Sequence, residues 1–328
     1  MRLPPSHAAV LLAAAAAVSA TAPMASASAH GAAVAAAACP IETRAESPPR
    51  PVATGLRFAE GPAWTGRDWL LSDVAANRRH RLSADGSALT VQQEPSGYAN
   101  GNALLPDGSV VSARHDRRVV RVAPDGTEAV LAERRGGSRL NSPNDVAVAP
   151  DGAVWFTDPT FGIEGYGPER AAPEQPVRGV YRLPPGAAPG AAPGAGAAEP
   201  ELATGALAMP NGLAFDAARR VLYMNDTASG VVHRLPLGPD WRPVGEPAAF
   251  ARGEPGVDGL RVDAAGRVWV AGPKGVAVYA PDGARLCALP LEAEHVSNLA
   301  LGGADGRDVL VTATDRAFLL RATERLLP

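Results

Sequence analysis

Lysine is almost missing from this chain: of the 31 lysines and arginines only Lys274 is a lysine. With alanine, glycine and proline so frequent, that bias reads as genomic base composition, not as function. No basic cluster and no aromatic-interleaved basic stripe occurs, and the net charge is −3. A nucleic-acid partner is therefore excluded. Cysteine is limited to Cys39 and Cys287, which rules out a cysteine-rich scaffold, and no His/Cys cluster has zinc-like spacing. Sustained helical periodicity is lacking, and so is the G-x-S-x-G elbow of a serine hydrolase. What the chain does have is length, 328 residues of which 46% are hydrophobic, enough to bury a sizeable core.

The N-terminus reads as a secretory signal. Met1, Arg2 and His7 precede the apolar run "AAVLLAAAAAVSATAP", too short to span a bilayer, and "MASASAH" offers an Ala-x-Ala cleavage site ending at Ala27. Residues 1–27 are thus expected to be removed and residues 28–50 to form a flexible leader. The mature protein is expected in the periplasm or outside the cell, without a membrane span and as a monomer. In such a compartment two cysteines permit one disulfide. Cys287 lies just before the sixth repeat described below, so Cys39 reaches it if the leader folds back; two unpaired thiols are the alternative.

The stretch "NDVAVAPDGAVWFTDP" (residues 144–159) reads as two extended runs joined by a Pro-Asp-Gly turn. Similar stretches begin at Glu60, Asn100, Asn211, Asp258 and Asn298, the last with Ser297 beside it. The successive spacings are 40, 44, 67, 47 and 40 residues. A second hairpin-like motif ("RVVRVAPDG", "GVYRLPPG", "GVAVYAPDG") alternates with the first. Four short strands per repeat make the unit of a propeller blade. The expected fold is all-β, a six-bladed β-propeller over residues 51–328; a two-sheet sandwich is the alternative that the repeat disfavours. The long interval carries a Pro/Gly/Ala tract at 184–200, expected to be a mobile loop. Before it stands "FGIEGYGPER", aromatic and Gly-rich, suited to the mouth of a site.

The innermost strand of a blade lines the central channel. The first residues of the repeats would then form a ring of carboxylates and amide carbonyls: Glu60, Asn100, Asn144, Asn211, Asp258 and Ser297 or Asn298. Buried carboxylates need compensation, and a bound cation supplies it. Hard oxygen donors favour Ca²⁺, with Mg²⁺, Mn²⁺ or Zn²⁺ as alternatives. The competing reading of each residue alone is turn chemistry, since Asn-Gly and Asp-Gly are ordinary turn formers.

Taken in order, "EGPAW…SD", "YANGNAL", "NSPNDVAVAPDGAVWFTDP", "PNGLAF" and "VDGLRVDAAGRVWVA" resemble the SMP-30/gluconolactonase/LRE family over nearly all of the mature chain. The resemblance implies a six-bladed propeller with an axial divalent metal and hydrolysis of lactones or related esters. It implies Glu60, Asn144, Asn211 and Asp258 as metal ligands. Asn100, Arg139, Asn144 and His115 would contact substrate. A carboxylate beside the metal would act as general base; Asp258 is the expected base, with Asp145 in reserve and more simply read as a turn residue. Organophosphate or ester hydrolysis on the same centre is one alternative, and a non-catalytic binding propeller another.

Overall fold

The computed structural model describes residues 39–41, 49–186 and 199–327. The expected signal peptide, most of the leader and residues 187–198 of the Pro/Gly/Ala tract lie outside the described residues. Among the described residues no helix is long and apolar enough to cross a membrane.

Alternating apolar runs and Gly-containing turns produce antiparallel ladders, and the ladders fall into six four-stranded sheets. Blade 1 comprises Ala59–Trp64, Trp69–Asp73, Arg78–Leu82 and Leu89–Gln93. Blade 2 comprises Ala99–Leu104, Val110–Arg114, Arg118–Val122 and Glu128–Ala132. Blade 3 is built from Val146–Val148, Val154–Asp158, Gly179–Leu183 and Glu201–Thr204, so the Pro/Gly/Ala tract joins its two outer strands. Blade 4 takes Pro210–Asp216, Val221–Asp226, Val231–Pro236 and Ala248–Arg252. Blade 5 takes Leu260–Val262, Val268–Gly272, Gly275–Tyr279 and Arg285–Pro290. Blade 6 takes Val296–Gly302, Asp308–Ala313 and Arg316–Arg321. Its fourth strand is Pro51–Thr54, from the other end of the chain, paired antiparallel to Arg316–Arg321. The fold is a six-bladed β-propeller, and six separate sheets displace the sandwich reading.

The ring is closed a second time near that seam. Ile41 bridges Ala322, Thr323 donates its N–H to the Pro40 carbonyl at 2.9 Å, and Cys39 is disulfide-bonded to Cys287 with their Cα atoms 5.6 Å apart. Of the two cysteine readings, the disulfide is the one the structure contains.

The apolar core is a set of inter-blade clusters. Trp269, Val278, Leu299, Val309 and Phe318 fill the space between blades 5 and 6, and Leu105, Val119, Val146, Phe156 and Tyr181 that between blades 2 and 3. Trp269 is fully buried and its indole N–H donates to Asp263 Oδ2 at 2.9 Å, so its polar atom is satisfied where water is excluded. The junction of blades 1 and 2 differs. Its buried apolar cluster is only Ala63, Leu70 and Val110, and polar groups occupy the rest. Arg79 Nη1 donates to Ser112 Oγ (3.1 Å), which donates to Asn102 Oδ1 (2.6 Å). Asn102 Nδ2 donates in turn to Ser72 Oγ (2.8 Å) and to the Asn100 carbonyl (3.0 Å).

Candidate active site

The residues that open the repeats meet on the axis, but not as turn formers. In blades 1, 2, 4 and 6 the inner strand carries a register shift at this position, between Glu60 and Ala63, Ala99 and Asn102, Pro210 and Leu213, and Val296 and Asn298. A bulge there re-aims the side chain out of the ladder. The glycine that follows the polar residue in blades 1, 2, 4 and 5 serves close packing between blades. A Cβ on Gly61 would stand 1.8 Å from the Asn100 carbonyl oxygen, and one on Gly259 would stand 2.0 Å from the Asn298 side chain. Gly101 donates its N–H to the Asn144 carbonyl at 2.8 Å and Gly259 donates to the Ser297 carbonyl at 2.7 Å. Successive blades are thus stitched together at the axis, directly behind the residues that face the cavity.

A second device recurs beside the ligand positions. The carboxylate that ends the second strand of a blade accepts from the backbone entering that blade. Asp73 accepts from the N–H of Arg57 (3.1 Å) and Phe58 (2.9 Å). Asp158 accepts from Asn141 and Ser142, both at 2.8 Å, and Asp226 from Met209 at 2.9 Å. Each anchored segment leads within two residues to Glu60, Asn144 or Asn211.

The cavity above this ring has a volume of about 340 Å³. Glu60, Asn100, His115, Asn144, Asn211, Thr227, Asp258, His295, Glu294 and Thr314 line it, with Phe58, Phe161 and Tyr166 as an aromatic wall. Phe161 and Tyr166 flank the short helical turn Gly162–Tyr166, so the Gly-rich segment singled out in the sequence does form the mouth. The Tyr166 and Phe58 rings lie 5.3 Å apart.

Hydrogen bonds fix which atoms face inward. His115 Nδ1 lies 3.1 Å from the Tyr166 carbonyl oxygen, which can only accept, so Nδ1 carries the proton. His115 Nε2 is then the acceptor for Asn100 Nδ2 at 3.0 Å. Burial drives the His115 pKa down to about 4, so the ring is neutral. Asn211 Nδ2 donates to Thr227 Oγ1 at 3.1 Å. With both amide nitrogens engaged, Asn100 Oδ1 and Asn211 Oδ1 are buried without a partner, and so is Asp258 Oδ1. The other Asp258 oxygen accepts from His295 Nε2 at 2.8 Å. Glu60 Oε2 accepts from the Gly61 N–H (2.7 Å) and from Asn298 Nδ2 (3.0 Å).

Burial and then the charge of Asp258 push the Glu60 carboxyl well above its ordinary value. Burial raises Asp258 as well, against the hydrogen bond from His295. Two buried carboxylates with orphaned oxygens around them carry a desolvation cost that no protein group in the cavity fully offsets. Among the described residues no group of three or more His, Cys, Asp or Glu is placed to hold a metal; the oxygens that converge here come from two carboxylates and amide carbonyls.

The structure brings Glu60, Asn100, His115, Asn144, Asn211 and Asp258 to one cavity. Arg139 stands elsewhere: it lies in the small hairpin of Arg134–Arg135 and Ser138–Arg139, ion-paired with Glu169 at 3.0 Å, and does not line the cavity. Asp145 is buried beneath the ring, 3.2 Å from Arg261 Nη1, and caps the Val146 N–H at 2.9 Å. His295, Thr227 and Glu294 were invisible in the sequence reading. His295 precedes the sixth inner strand by one residue, which is the one signal that could have found it.

Comparison with known proteins follows the same residues. The SMP-30/gluconolactonase/LRE-like region matches residues 58–315. The chain belongs to this family. A gluconolactonase from Zymomonas mobilis is 29% identical over 259 residues, covering 71% of this chain and 69% of the relative. A 6-deoxy-6-sulfogluconolactonase from Pseudomonas putida is 29% identical over 265 residues, covering 78% and 83%. Among solved structures, a gluconolactonase from Xanthomonas campestris superposes with a TM-score of 0.74 at 29% identity, covering 86% of this chain and 94% of that one.

Proposed function

We propose that this member of the family hydrolyses lactones at the axial cavity with the help of a divalent cation. The observation that carries the reading is the convergence of three unpartnered buried oxygens, from Asn100, Asn211 and Asp258, beside the buried Glu60. The lactonase names of the relatives agree with it. Glu60, Asn144, Asn211 and Asp258 would hold the ion, and an all-oxygen set suits Ca²⁺ best. Such an ion supplies Lewis-acid polarisation of the lactone carbonyl.

The chain's own groups do the rest. Asp258 is fixed by His295 through one oxygen and keeps the other toward the cavity, where it takes a proton from the attacking water. The water oxygen bonds to the carbonyl carbon, the ring C–O bond breaks, and the ring oxygen leaves as a hydroxyl by taking back the proton that Asp258 removed from the water. The product is an open-chain hydroxy acid. The ion pair of Asp145 with Arg261 favours a structural role for Asp145 over the base role. Asn100, held by His115, presents its carbonyl to substrate hydroxyls. The Phe58, Phe161 and Tyr166 wall covers the apolar face of the ring.

The disulfide supports an oxidising compartment, and we place the mature protein in the periplasm or outside the cell.

The test is a pH-stat assay on a panel of sugar, aliphatic and aromatic lactones with one phosphotriester. Elemental analysis should give about one divalent ion per chain, and exhaustive chelation should abolish hydrolysis until Ca²⁺ or Mn²⁺ is returned. Asp258→Asn at saturating metal should lose roughly 10²–10⁴ in rate. Full turnover after complete metal removal would refute the metal role, and metal binding without hydrolysis of any panel member would favour a binding propeller.

A further inference from the structure

Thirty-one lysines and arginines occur in the chain, yet among the described residues none lines the axial cavity. Several nearby arginines are engaged elsewhere, whereas Arg57, next to Phe58, is exposed and has no ion pair among the described residues. Arg139 pairs with Glu169, Arg170 donates to the Glu164 carbonyl, Arg178 to Thr160 Oγ1, and Arg261 pairs with Asp145 below the ring. The charged groups that do face the cavity are Glu60, Asp258 and Glu294, with the neutral His115 and with His295. A divalent ion would offset Glu60 and Asp258. Glu294, next to His295, which bonds Asp258, is exposed, lines the cavity, and has no ion pair among the described residues.

Resting on the lactonase reading, we propose that the cavity is selective for uncharged sugar lactones and discriminates against lactones carrying a fixed anion, with Glu294 as the discriminating residue. Recognition of sulfonate or phosphate uses arginine forks, lysine or clustered backbone N–H groups. A lone carboxylate in their place adds repulsion, which is how specificity is built against a near-identical competitor. The Pseudomonas putida relative is named for a sulfonated gluconolactone, which supplies a charged lactone for comparison with the uncharged one. An uncharged lactone can offer its hydroxyls to Asn100, Thr227 and Thr314 and its ring face to the aromatic wall without meeting a like charge.

The experiment compares glucono-1,5-lactone with 6-deoxy-6-sulfoglucono-1,5-lactone, whose sulfonate is ionised at every working pH. For the wild-type protein kcat/KM should be at least about tenfold lower for the sulfonated lactone, chiefly through KM. Glu294→Gln should narrow that ratio by a few-fold and Glu294→Lys by about tenfold. Calorimetric binding of gluconate and of 6-deoxy-6-sulfogluconate to metal-loaded protein gives a second readout: the sulfonated acid should bind more weakly, and Glu294→Lys should remove the difference. Equal or better hydrolysis or binding of the sulfonated compound, or ratios unmoved by both substitutions, would overturn the inference. If neither lactone is hydrolysed, the lactonase reading fails, while the binding comparison still decides the charge preference.

Discussion

Asn100 Nδ2 lies 3.0 Å from His115 Nε2, and His115 Nδ1 lies 3.1 Å from the Tyr166 carbonyl oxygen. That chain of two bonds orients an amide: a neutral ring with its proton on Nδ1 obliges Asn100 to give its nitrogen outward and its oxygen inward. It also ties the aromatic mouth to the cavity floor.

His115→Ala should therefore act through Asn100. The amide is released to rotate, and KM for lactones should rise more than kcat falls, by about tenfold in kcat/KM, in line with the loss of an outer hydrogen-bond partner. Steady-state kinetics on the variant checks this. His115→Gln, which can still accept from Asn100, should recover part of the loss.

Asp145 and Arg261 are expected to matter for the fold more than for turnover. Asp145→Ala leaves the largely buried Arg261 cation without its partner and should destabilise the protein by roughly 3–5 kcal/mol. Asp145→Asn keeps the cap on Val146 and should do less harm. Urea unfolding measures both, and a dead but fully stable Asp145→Asn enzyme would contradict the assignment of Asp258 as base.

Asp158 gives a pH signature. Burial raises its pKa to about 7, outweighing the N–H bonds from Asn141 and Ser142. The folded state thus holds this proton more tightly than the unfolded chain. The associated stability is fully present below the ordinary carboxylate value of 3.8, and it is lost as pH rises through 7. Asp158→Asn cannot titrate and should lack that slope. The difference between wild-type and variant unfolding free energies at pH 5 and pH 8 reads it directly.

Cys39 and Cys287 are 248 residues apart in sequence. In the chain-entropy account a bridge over so long a loop stabilises the folded state by up to about 5 kcal/mol, a model-dependent figure. Cys39→Ser with Cys287→Ser should lower the unfolding midpoint, and non-reducing mass analysis of the native protein should find no alkylatable thiol.

The propeller was legible because its repeat is periodic: a polar residue, a strand, a Gly turn and a second strand recur along nearly the whole chain. The axial ring was legible for the same reason, since Glu60, Asn144, Asn211 and Asp258 occupy one phase of the repeat. The role of its glycines was not legible. Asn-Gly and Asp-Gly suggested only turns as the competing reading, whereas Gly61 and Gly259 sit where the next blade leaves no space for a side chain. His295 and Glu294 escaped notice because they stand just before a strand, outside the repeated phase, and reach the cavity only through the curvature of the ring. Arg139 was drawn in by motif similarity; it sits instead in the hairpin of Arg134–Arg135 and Ser138–Arg139, with its N–H held by Glu174, a partner thirty-five residues away that no local pattern announces.

Blade 6 joins Pro51–Thr54 to Arg316–Arg321, so its outer strand is made first and its inner strands last. During synthesis five blades can form while Pro51–Thr54 still waits for its partner, and a chain that lacks Arg316–Arg321 keeps that edge open. Unpaired strand edges invite pairing with other chains. Completion of the ring, and with it the protection of the last edge, thus waits for the synthesis of Arg316–Arg321.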